Sequence, residues 1–199
     1  VPTSTVRSLA IEVPEFVDAL VESTRAHGFA TVEARVRLTL RLAEANVAHG
    51  GGPFGAAVFA GDQLVAAGVN CVLASGLSIA HAEIVTIMRA QAVLQRSGSL
   101  PAGPYSLISS AEPCCQCFGA LIWSGVSELV YAASKADVEA IGFDEGPKPE
   151  RWVQVLRDKG IAVVEELCRG EAGPALAEYT RRGGPIYGLR QPSVTRGAD

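Results

Sequence analysis

The chain has 199 residues, 48% apolar and 19% charged, which is enough apolar matter for a buried core and excludes a disordered chain. Its formal charge of -4 lacks the surplus of Lys and Arg that a non-specific grip on a phosphate backbone requires, so nucleic acid is not an expected partner. No apolar run of about 18 residues or more exists, so no membrane span is expected.

In chain order, the opening Val1-Pro2-Thr3-Ser4-Thr5 lacks the basic and apolar regions of a signal peptide. The first thirty or so residues read as helical: Pro14 suits a first turn, and Phe16, Val17, Leu20 and Val21 share one face. A second helix is expected over 31–48, with Val32, Val36, Leu40, Ala43 and Val47 as its buried stripe and His49-Gly50-Gly51-Gly52-Pro53 as its stop. Strands over 54–60 and 63–70 form a hairpin around Gly61-Asp62. A Ser/Gly-containing loop leads to a helix over 80–95, then a loop rich in Ser, Gly and Pro. A strand over 105–111, a helix over 114–124 and a strand over 127–133 follow. Beyond them stand one helical turn at 137–141, a loop over 142–147, a helix over 150–159, a strand over 161–164 and a last helix over 172–182. This order reads as one α/β sandwich around a central mixed sheet. Arg181, Arg182, Arg190 and Arg196 near the end read as a scattered, solvated set.

Five cysteines, three of them within four positions, fit a reducing compartment and a metal site better than a disulfide framework, so the expected location is cytoplasmic. Two segments carry chemistry, His81-Ala82-Glu83 and Pro113-Cys114-Cys115-Gln116-Cys117, and each opens an expected helix. At a helix start the Cys114/Cys117 spacing aims both sulfurs at one metal ion, and the free N–H groups and positive dipole end favour thiolates. His81 is the third ligand. Two thiolates and one imidazole leave a fourth position for water, the mark of a catalytic zinc, which lowers the pKa of that water to about 7. Glu83 stands close to the metal without ligating it, placed to move protons from water to a ring nitrogen and then to a departing amine.

Each piece alone has a plainer reading. A lone Cys-x-x-Cys also serves structural zinc or redox pairs, and a lone His is ordinarily a core or surface residue. Jointly, His-x-Glu followed about thirty residues later by Pro-Cys-x-x-Cys, with a strand between, is the signature of zinc-dependent deaminases. Cys115 lies off the ligand spacing and reads as a packed thiol. Cys71 and Cys168 read as small buried apolar residues. His27 and His49 have no ligand partner in sequence.

With Gly51-Gly52-Pro53-Phe54-Gly55-Ala56, Asn70, Glu112, Gly119-Ala120-Leu121-Ile122-Trp123 and Gly142-Phe143-Asp144-Glu145, these segments resemble the cytidine deaminase superfamily and, within it, bacterial guanine deaminases. The likeness runs over about 51–146; Gly-Phe-Asp-Glu and Trp123 are its narrower signals. It departs from the pattern at Cys115-Gln116, where Pro or Val and Met are commoner, and over 183–190. The resemblance implies a three-layer α/β/α sandwich with a five-stranded mixed sheet. It implies one Zn2+ per subunit on His81, Cys114 and Cys117, with Glu83 and Glu145 catalytic. Phe54 would pack on the base, Asn70 would hydrogen-bond it, and the Ala82 backbone would meet its carbonyl edge. Backbone groups at Pro113 and Cys114 would handle the leaving ammonia and the tetrahedral intermediate. Asp144 and Glu145 would lie over the pocket, Trp123 would come from the neighbouring subunit of a homodimer, and Tyr187 would plug the site from a C-terminal segment often exchanged between subunits.

The organisation so implied is one deaminase domain over 1–199, with 1–30 a helical N-terminal extension and 170–199 a C-terminal helix and lid. The reaction implied is guanine plus water giving xanthine plus ammonia. Alternatives with the same chemistry are cytosine, ammeline or another aminotriazine, another aminopurine, or a nucleoside. A tRNA adenosine deaminase and a non-catalytic zinc module are further alternatives.

Overall fold

A computed structural model describes residues 9–26, 28–95 and 98–188. Helices α1 (Phe16–Arg25) and α2 (Val32–Ala48) precede a hairpin of β1 (Gly55–Ala60) and β2 (Gln63–Val69). Then come α3 (Val72–Ser75), α4 (Ala82–Val93), β3 (Tyr105–Ala111), α5 (Cys115–Ser124), β4 (Glu128–Ala133) and α6 (Lys135–Ala140). The order closes with α7 (Trp152–Asp158), β5 (Ala162–Val164) and α8 (Arg169–Arg181). The sheet has five strands in the order β2-β1-β3-β4-β5. β1 runs antiparallel to both β2 and β3, whereas β3, β4 and β5 are mutually parallel. This is the expected mixed sheet.

Strand periodicity divides the side chains between two layers. Ala57 and Phe59 of β1 point into a core shared with Val17 and Val21 of α1, Val36 and Leu38 of α2 and Leu176 of α8. Ala56 and Val58 point the other way, into a core with Ala90 of α4, Leu121 of α5 and Leu156 of α7. Phe59 is completely buried, which contributes about 1.5–3 kcal/mol relative to an exposed ring. Helices therefore cover both faces, giving the three-layer α/β/α arrangement.

Several boundaries differ from expectation for identifiable reasons. The helix expected across the first thirty residues is confined, among the described residues, to α1; Leu9–Pro14 carry no helix. The buried surface of α2 is wider than a single stripe, because Leu38, Thr39, Leu42 and Asn46 are buried as well. α1 and α8 flank this helix while the sheet lies beneath it. A short α3 occupies the expected loop after β2, with the Asn70 side chain accepting from Val72 N at 3.2 Å. α6 starts earlier than the single turn expected, because Ser134 and Asp137 form a reciprocal capping box. α8 starts three residues before the expected 172, and Pro174 sits inside it. His27, Arg190, Arg196 and the last part of the expected lid lie outside the described residues. No helix among the described residues is long and apolar enough to cross a membrane.

Candidate metal and active site

The register brings the chemical residues to one end of the sheet. Gly55 pairs with Val69 and Ala56 with Ser109, so the start of β1 lies beside the ends of β2 and β3. Phe54, Asn70 and Glu112-Pro113-Cys114 consequently converge there, and Asn70 N donates to Phe54 O at 3.0 Å. α4 and α5 both begin at this edge. His81 is the N-cap of α4 and Cys114 the N-cap of α5, both in extended backbone conformation, and Cys117 lies in the first turn of α5.

His81 Nδ1 is 3.4 Å from Cys114 Sγ and 3.6 Å from Cys117 Sγ, and the three potential ligand atoms all lie within 4.8 Å of one another. Nitrogen and sulfur ligands at ordinary bond lengths around a tetrahedral zinc stand ~3.5 Å apart, so the trio has the dimensions of a zinc shell with one position to spare. The electrostatics suit a metal-binding pair of thiols. The Cys117 thiol, by hydrogen bonding, and then the His81 ring hold Cys114 down to about 4. The same bond, followed by burial, pushes Cys117 up. Burial draws His81 down, but its bond to Cys114 and the neighbouring Cys114, Glu83 and Glu145 charges leave it raised.

A cavity of about 70 Å³ opens onto His81 and Cys114. Phe54, Asn70, His81, Glu83, Ala111, Glu112, Cys114, Phe143, Asp144, Glu145, Tyr187 and Gly188 line it. Glu83 is only 6% exposed, and burial, then the Cys114 charge, raises its pKa. Glu145 is also 6% exposed; burial and then the Cys114 and Glu83 charges push it up to about 8. Among the described residues, Glu145 Oε2 and Tyr187 Oη are buried without a hydrogen-bond partner, capacity that a ligand with polar edges would use. The Phe54 and Phe143 rings meet edge to face at 5.2 Å, and Phe143 meets Tyr187 at 5.0 Å. Tyr187 Oη also abuts Gly52, where any side chain would collide with it.

The remaining nominees fall in different places. Asp144 is exposed, and its Oδ1 accepts from Gly146 N at 2.8 Å, so it shapes the turn while Glu145 points inward. Ala82 and Pro113 are buried beside the ligands but do not line the cavity, and the Pro113 carbonyl accepts from Lys148 Nζ at 2.6 Å. Trp123 is 77% exposed on α5 and lines no part of the cavity of its own chain. Sequence reasoning passed over Asn46, whose amide nitrogen donates to Gly52 O at 2.7 Å and Asn70 O at 2.9 Å, joining both flanks of the pocket. An Asn amid the apolar stripe of α2 was the available signal. It also passed over Lys148 and gave Glu112 no role, and nothing in their spacing marks them as a pair.

Fold and site together define a zinc-dependent deaminase, and the chain belongs to the family described as the cytidine and deoxycytidylate deaminase zinc-binding region, which matches residues 30–133. It is 46% identical to guanine deaminase from Nitrosomonas europaea, covering 89% of this chain and 99% of that one with a TM-score of 0.79. A structure solved in complex with 2,6-diaminopurine is 47% identical, covering 91% of this chain and 97% of its own with a TM-score of 0.81. Guanine deaminase from Bacillus subtilis (strain 168) is 38% identical over 95 residues, which span 48% of this chain and 59% of that protein.

Proposed function

We propose that this chain hydrolyses guanine to xanthine and ammonia. The observation that carries the reading is a small cavity lined by Glu83 and Glu145, whose Oε2 has no partner among the described residues, together with His81 and Cys114. His81, Cys114 and Cys117 would hold a zinc ion, which would supply Lewis-acid activation of the attacking water. Glu83 accepts a proton from the attacking water as the water oxygen bonds to C2, and delivers it to the adjoining ring nitrogen. As the C2–NH2 bond breaks, Glu83 passes the second proton to the amine, which leaves as ammonia while C2 becomes the xanthine carbonyl. Burial, which raises the Glu83 pKa, suits a group that must both take and give protons near neutrality.

Glu145 Oε2 is suited to accept from the N–H-bearing edge of the base. Asn70 Oδ1 is engaged with Val72 N, so its NH2 is the group it offers to a base acceptor. Phe54 supplies the apolar face, Ala82 and Pro113 the backbone flanking the reacting centre, and Tyr187 the plug. Exposed Trp123, Ile79 and Met88 on and beside α4 and α5 support a homodimer, with Trp123 reaching the partner's site. We read the chain as one deaminase domain carrying an N-terminal extension and a C-terminal lid that seats Tyr187 in the cavity of its own chain. Five unpaired cysteines support a cytoplasmic location.

Ammonia release from guanine by the zinc-loaded protein, with cytosine and ammeline in parallel, tests the substrate. Turnover of guanine well above the other two is expected. Turnover of another base without guanine would keep the zinc chemistry and overturn the assignment of Glu145 to the guanine edge.

A further inference from the structure

We propose that Lys148 is a positioning residue. Buried against Glu112, it ties the segment carrying Asp144 and Glu145 to the turn that presents the zinc ligands.

The pair lies almost out of solvent, with 4% of the Lys148 side chain and 10% of the Glu112 side chain exposed. A buried ammonium is costly unless its hydrogens are taken up. Lys148 Nζ donates to Glu112 Oε1 and to Pro113 O, and it lies 4.5 Å from the centroid of the Trp152 ring. Glu112 is itself held. Its Oε2 accepts from Lys135 N at 3.0 Å, and its backbone N donates to Ala133 O at 2.8 Å. The ion pair is therefore fixed to the end of β4 and the start of α6 as well as to its own strand.

Both partners adjoin chemistry in the sequence. Glu112-Pro113 runs directly into Cys114, and Lys148 follows Glu145 by three residues. A second pin lies between them: Cys115 N donates to Glu145 O at 2.9 Å. Gly146, at φ 67, packs on Cys115 Sγ where a side chain would collide. These two pins hold the backbone of the segment against residues on both sides of Cys114. With them in place, the Glu145 side chain is buried at the cavity, while Asp144, which also lines it, is exposed and accepts from Gly146 N.

The same contacts could serve stability alone, and the two roles separate experimentally. Removing one partner strands a buried charge, whereas replacing both with apolar residues is often neutral for stability. The informative protein is the zinc-loaded double variant Lys148→Met with Glu112→Met. Its thermal midpoint and zinc content are expected to stay close to wild type. Backbone hydrogen exchange over 142–148 is expected to rise, and kcat/KM for guanine to fall about 10- to 100-fold, with KM raised. Lys148→Met alone should be the less stable of the two variants. A double variant with exchange and kcat/KM within twofold of wild type overturns the proposal. Loss of zinc in step with activity also overturns it, since the tie would then serve the ligand turn. The kinetic arm rests on the guanine reading. Failure of that reading shows as absent turnover in the wild type, whereas exchange over 142–148 reports on the tie either way.

Discussion

The metal-ligand trio, of which His81 and Cys114 line one small cavity, and the Phe143, Glu145 and Tyr187 wall of that cavity are built differently. The metal side comes from two helix starts, and its polar atoms engage one another: His81 Nδ1 lies within hydrogen-bond reach of both sulfurs. The opposite side is gathered from the loop after α6 and the segment after α8, and it holds two buried polar atoms, Glu145 Oε2 and Tyr187 Oη, that lack partners among the described residues. A set satisfied within itself suits a constant task, holding one ion. A wall with unused hydrogen-bonding capacity suits discrimination, because a ligand that fails to use it leaves buried groups unpaired.

The largest test falls on the metal side. Glu83→Gln keeps the shape and removes the proton carrier, so kcat should fall by about 10²–10⁴-fold while zinc content stays unchanged. Wild-type turnover in that variant would move the proton chemistry to the opposite wall and break the comparison.

Glu145→Gln should cost less, a fall in kcat/KM of about tenfold, the scale of one lost hydrogen bond to a charged or polar group. Its pH behaviour is the sharper reading. Burial and the Cys114 and Glu83 charges place the folded carboxyl at about 8, above its ordinary 4.5. Between those two values the folded protein holds a proton that the unfolded chain does not. Stability therefore falls as pH rises through this window. In the zinc-free protein, where these charges act without a metal ion, the melting temperature should decline from mildly acid to alkaline pH. The decline should be weaker in Glu145→Gln, and equal profiles would show that Glu145 does not titrate there.

Tyr187→Phe should have the smallest effect. The hydroxyl lacks a partner, so its removal should leave the melting temperature unchanged or slightly raised, while KM for guanine rises only a few-fold. A large loss of stability would mean that this wall is as self-satisfied as the metal side.

The metal side was legible because its information is local. Helix N-caps and a Cys-x-x-Cys spacing fix where ligands point, and a carboxylate two residues from His81 travels with it. The short apolar run over 54–60 likewise read as a strand, and the structure divides its side chains between two cores. The wall was legible only through resemblance. Nothing in the spacing says that Glu145 turns inward while Asp144 caps a turn on Gly146 N. Nor does it say that Asn46 bridges Gly52 and Asn70, or that Lys148 finds Glu112 across the segment between.

The sequence by itself marked the candidate zinc ligands, the proposed proton carrier and the layered mixed sheet, since each follows from short-range geometry or from the order of helices and strands. Tertiary structure alone decided which carboxylate enters the cavity, where Tyr187 seats and which buried charges meet. Those outcomes depend on β1 running antiparallel to β3 while β3 and β4 run parallel, a choice that brings distant loops to one edge of the sheet.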